Sequence, residues 1–165
     1  MLRKRFRFSL FVLLLGAFPL GITGLSGCDH GLEPPPPAAT GAIEITVRYP
    51  GPWPPPDSLG DLRFVAMEFI PQDTSDFLQL NRLVISDRLA YFVESQTLRV
   101  ENVKAGVYIY NGVAQNFEPG NLVAWRPVGL VETNDGVFEI RENGTTTVEV
   151  TADFYNRPVF PPVLE

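Results

Sequence analysis

The chain of 165 residues offers few side chains that do chemistry. Its one imidazole, His30, stands in a proline-rich stretch, whereas a serine triad needs a histidine base beside its nucleophile. Zinc sites draw on several Cys or His residues, and the chain has one of each. Asp73 and Asp76 put two oxygen donors in one loop, but their spacing fits no defined calcium loop, so they read as solvated loop acids. A carboxylate pair could serve glycoside hydrolysis, yet nothing singles out two of the nineteen acids. Asn143-Gly144-Thr145 has the form of a glycosylation sequon and reads better as a hairpin turn. The expectation is therefore a protein that is not an enzyme, with no cofactor and no metal. Two features remain: the lone thiol, Cys28, and the aromatic residues.

Cys28 closes a leader. Arg3, Lys4, Arg5 and Arg7 come before any acid, and Phe8 to Leu20 forms an apolar core of signal-peptide length. A spanning helix needs about 20 apolar residues, and Gly16, Pro19, Gly21 and Gly24 interrupt this run. Leu25-Ser26-Gly27-Cys28 then resembles the bacterial lipobox at all four positions. That resemblance implies a signal peptide over 1–27, cleavage before Cys28, and lipid attached to the Cys28 thiol. A thiol so used is no nucleophile. Each buried methylene contributes about 0.8 kcal/mol, and two or more chains hold firmly. The expected partner is thus a membrane, reached through lipid on Cys28. The expected location is the bacterial cell envelope, facing periplasm or exterior. Asp29 after the cysteine retains enterobacterial lipoproteins in the inner membrane; other phyla do not follow that rule, and no membrane is assigned.

Without the leader, nine basic residues face nineteen acids, a net charge of about −10. Lys104 is then the one lysine. Nucleic-acid binding needs basic clusters to neutralise phosphate, so that class is excluded, and the same field disfavours lying on anionic lipid. A single cysteine precludes an internal disulfide. The fold must stand on its core, and the length after residue 40 suffices for one domain.

Residues 28–40 form the tether. The four prolines at 34–37 favour an extended polyproline helix of about 3.1 Å per residue, which reads as a stalk; a proline motif recognised by a partner is the alternative. From Gly41 the period changes to two. Ile43, Ile45, Val47 and Tyr49 alternate with Glu44, Thr46 and Arg48, the pattern of a half-buried strand. Pro50 to Asp57 stops it. Asp61 to Ile70 is apolar on both faces, as in a covered central strand.

Further strands are expected at Leu80–Ser86, Leu89–Glu94, Thr97–Val103, Val107–Gln115, Leu122–Val131, Val137–Arg141 and Thr145–Phe154. Gly112 marks a bulge or a close backbone approach, and Pro127 an edge strand. Asn143-Gly144 predicts a type I′ hairpin joining the last two. The last strand points Val148, Val150, Ala152 and Phe154 inward. The fold class expected is all-β: a single antiparallel two-sheet sandwich of about 7–8 strands over 41–155. A proline-rich tail, 156–165, has an apolar Pro158–Leu164 that could cover a sheet edge.

Val100-Glu101-Asn102-Val103-Lys104-Ala105-Gly106-Val107-Tyr108-Ile109 resembles the apolar-x-x-apolar-x-x-Gly-x-Tyr-x-apolar segment of transthyretin-like and carboxypeptidase-regulatory-like sandwiches. The strands at 41–47 and 147–150 are similar to their first and last. Ala105 stands where proline is common in that family, and the loop at 50–56 is longer. The resemblance implies a non-catalytic accessory domain on exported proteins. Hydrolases in the family depend on histidines, which 41–155 lacks.

The aromatics carry the alternative function. Trp53 lies in the proline loop, Trp125 on the expected edge strand, and Tyr108 and Tyr110 two apart on one face. Aromatic side chains usually fill cores; exposed, they would be a ligand platform. The reading is a lipid-anchored envelope protein displaying a sandwich for structural or protein-interaction roles. The alternative is a carbohydrate-binding module using these four rings, so the partner is an envelope protein or a glycan.

Overall fold

The computed structural model describes residues 36–163. The signal peptide, Cys28 and the tether up to residue 35 lie outside the described residues.

The described residues are all-β, with nine strands in chain order: β1 (Thr40–Arg48), β2 (Asp61–Met67), β3 (Leu83–Ile85), β4 (Ser95–Lys104), β5 (Gly106–Tyr108), β6 (Tyr110–Asn116), β7 (Trp125–Leu130), β8 (Phe138–Ile140) and β9 (Thr145–Thr151). One sheet runs β4-β1-β9, the second β3-β2-β6-β7, and β5 and β8 pair by themselves. The ladders are antiparallel except β1 with β9, which run parallel.

Period-two alternation places the core. Ile43, Ile45 and Val47 of β1 are fully buried, Val148 and Val150 of β9 are buried, and these share one core with Leu62, Phe64 and Ala66 of β2. Each such aliphatic side chain contributes about 1.5–3 kcal/mol by leaving water. Ala152 and Phe154 continue the buried row past the end of β9. β2 is covered on both sides: its other face, Val65 and Met67, joins Phe77, Leu83, Tyr110 and Ala114 in a second apolar cluster. Phe160 from the C-terminal tail packs there, 5.4 Å from Phe77 between ring centroids. The tail therefore covers a sheet face instead of an edge. Pro127 does lie on an edge strand, β7.

Three expectations about the strands and their turns also fail. Leu89–Glu94 is irregular, not a strand; Phe92 takes φ 58° there, outside extended geometry. Val107–Gln115 is two strands, because the chain leaves the β8 ladder at Tyr108 and joins β2 and β7 from Tyr110. Asn143-Gly144 makes no hairpin: β8 pairs with β5 and β9 with β1. Asn143 alone of that pair has positive φ, and the turn closes through Gly144 N–H donating to Arg141 O at 3.0 Å.

The long edge strand β4 is broken by a bulge: two residues, Glu101 and Asn102, stand opposite Ala42 alone, with Asn102 at φ 57°. Bulges of this kind blunt an edge against pairing with another chain. Near the other end of β4, the Gln96 side chain bonds both backbone groups of Ala90.

Candidate functional site

The strands of the three-stranded sheet deliver their loops to one end. β1 runs into Tyr49 and the proline loop, β9 runs parallel to it into Phe154 and Tyr155, and β4 begins there after Tyr91–Glu94. Five rings gather. Trp53 lies 4.6 Å from Tyr49, 4.9 Å from Phe154, 5.5 Å from Phe92 and 6.3 Å from Tyr91, centroid to centroid. The prolines around Trp53 hold its loop stiff, and its indole N–H donates to Val93 O at 3.2 Å. Trp53 is half-buried and its polar atom is spent internally, so what it offers outward is ring surface.

Phe92 is the exposed member, at 57%. Its left-handed backbone costs a residue with a Cβ about 1–2 kcal/mol. Tyr49 is buried, with its hydroxyl accepting from Gln96 Nε2 at 2.7 Å; burial pushes its ionisation well above the usual tyrosine value. Beside Tyr49 opens a hollow of about 670 Å³ lined by Thr46, Arg48, Tyr49, Pro50, Glu94 and Ser95. Arg48 is paired with Glu149 at 3.2 Å on its rim. This end of the sheet thus joins aromatic surface to a polar recess through one residue, Tyr49.

The other expected platform residues go elsewhere. Tyr108 is buried in the main core, stacked on Phe138 with its hydroxyl donating to Lys104 O at 2.9 Å. Tyr110 is buried in the second cluster. They differ in environment because the ladder breaks between them, and burial denies both an open ring face. Trp125 is half-buried against that second cluster, away from Trp53. Only Trp53 of the four belongs to the aromatic end. Sequence reasoning missed Phe92: Tyr91-Phe92-Val93 looks like any strand-forming run, and no residue type there signals positive φ.

The acids singled out from sequence have local work. Asp73 accepts from Ser75 N at 2.7 Å, and Asp76 accepts from Gln72 N at 2.7 Å, capping the short helical turn Thr74–Leu78. Hydrogen bonds from the Ser75 side chain and backbone hold the Asp73 carboxyl below the usual aspartate range. Among the described residues no three His, Cys, Asp or Glu side chains group as metal ligands. Asp61 is bridged by Arg63 at 2.9 Å and Arg88 at 3.0 Å. No family model, curated protein or solved structure matches this chain.

Proposed function

We propose that this chain is a lipid-anchored protein of the bacterial cell envelope, held through Cys28, that displays a non-catalytic β-sandwich of transthyretin-like kind to an envelope partner. The observation that carries it is the lone cysteine at the fourth position of Leu25-Ser26-Gly27-Cys28, directly after a basic start and an apolar core. The order of the chain supports it: processing site, then prolines, then a folded all-β unit whose first strand begins at Thr40. A stalk followed by a self-standing sandwich is what display above headgroups requires. In cells fed radiolabelled palmitate, the native protein should take up label and Cys28→Ala should not. Label on the variant would sink the anchor.

A further inference from the structure

We infer that the aromatic end of the β4-β1-β9 sheet is a binding site for a neutral pyranose, stacked on Phe92 and Trp53 with its hydroxyls turned to the hollow beside Tyr49. Three independent observations converge there. Phe92 is both solvent-exposed and held in a left-handed backbone, and strain of that sort clusters at functional sites. Trp53, 5.5 Å away and inclined at 50°, fixes a second ring beside it. The recess that shares Tyr49 presents Arg48 and Glu94, two groups that bond hydroxyls well.

The occupant follows by elimination among chemistries. The chain enters the domain at the Thr40 end of β1, where Ala39 O accepts from Ala105 N and Thr40 O from Asn143 N. The aromatic end is at the other end of that nine-residue strand, about 30 Å away. On the anchored reading proposed above, Phe92 lies at the opposite end of β1 from the residues by which the chain enters the domain, and insertion into the anchoring membrane is disfavoured. A stable protein interface buries about 1,200–2,000 Å². On the loops gathered here the exposed large apolar side chains are Phe92 and Tyr155; the others among the described residues lie on other segments, Val159 and Val163 on the C-terminal tail. Two rings suit one or two sugar units, whose axial C–H faces pack on aromatic surfaces. The surplus of acids disfavours anionic glycans, leaving neutral ones.

The test uses the full chain in detergent, screened on an array of neutral oligosaccharides and titrated with cellotetraose and chitotetraose by tryptophan fluorescence. Trp125→Phe assigns the signal to Trp53. Phe92→Gly removes the ring while relaxing the backbone, so the fold is retained. At least one neutral oligosaccharide should bind saturably to native protein and Trp125→Phe, and at least tenfold more weakly to Phe92→Gly. Equal binding by Phe92→Gly, or no binding across the array, overturns the inference. So does a photocrosslinker at position 92 that traps a protein from native membranes and is not displaced by saccharide. The array and fluorescence readouts do not depend on lipid at Cys28, so failure of saccharide binding and failure of the anchor are separate results.

Discussion

Gly112 on β6 and Gly129 on β7 meet backbone to backbone: a Cβ on Gly112 would stand 2.1 Å from Gly129 O. The contact continues across the sandwich, since a Cβ on Gly129 would stand 2.2 Å from Thr151 O. Here the two sheets touch, with Val131 bridged to Val150 and Asp153 N donating to Val128 O at 2.8 Å. Both obstructing atoms are main chain and cannot rotate away. Gly112→Ala and Gly129→Ala should each destabilise by about 1–3 kcal/mol, read as a fall in the urea midpoint. Native-like stability in either variant would show that the sheets separate easily.

Phe92 permits a comparison in which ring loss cancels. Phe92→Ala and Phe92→Gly both remove the contact with Trp53, but only alanine keeps a Cβ at φ 58°. The glycine variant should therefore be more stable than the alanine variant by about 1 kcal/mol, measured by thermal or urea unfolding. An alanine variant equal to glycine would mean the left-handed backbone carries no strain.

The residues that read correctly from sequence are those whose surroundings are set by local alternation. β1 and β9 show their inward rows plainly, β2 betrays its two covered faces, and Gly112 and Pro127 mark a close approach and an edge as residue types should. What stayed hidden depends on which strand lies alongside. Asn143-Gly144 suits a tight hairpin, but β1 lies along β9 where a hairpin would need β8. Tyr108 and Tyr110 obey period two, yet the change of ladder at Ile109, whose N–H donates to Met67 O at 2.8 Å, sends them to separate clusters. Of the aromatic end, Trp53 was legible through its proline loop. Phe92 was not, because phenylalanine is no marker of a left-handed turn.

Asn111 holds a turn of unusual backbone. Its amide donates to Tyr108 O at 2.9 Å and to Gly136 O at 2.5 Å while 1% exposed. Asn134, Asp135 and Gly136 take φ of 52°, 55° and 80° in succession, a run that L-residues adopt only under constraint. Asn111→Ala leaves two carbonyls without this donor and should cost about 2–4 kcal/mol. The urea midpoint should fall with an unchanged slope. A loss below half of the lower figure would place the constraint on Gly136 elsewhere.

Tyr110 and Tyr49 are both buried tyrosines whose ionisation is pushed above the usual value near 10.0 by burial, but their hydroxyls differ. Tyr49 accepts from Gln96 at 2.7 Å; the Tyr110 hydroxyl is buried without a partner among the described residues. A folded-state value above the unfolded one means that the stability is complete below pH 10 and drains away as pH rises past it, because the unfolded chain releases the proton first. Phenylalanine does not titrate, so either substitution should flatten the alkaline loss. At neutral pH the two should diverge. Tyr110→Phe removes a buried oxygen that has no partner among the described residues and should stabilise by about 1 kcal/mol, whereas Tyr49→Phe leaves one N–H of the Gln96 amide, whose other bonds go to Ala90, without its acceptor and should destabilise by about 1 kcal/mol. Urea unfolding at pH 7 and pH 11 measures both effects. A destabilising Tyr110→Phe at pH 7 would mean that its hydroxyl has found a partner, such as an ordered water under the Phe160 tail.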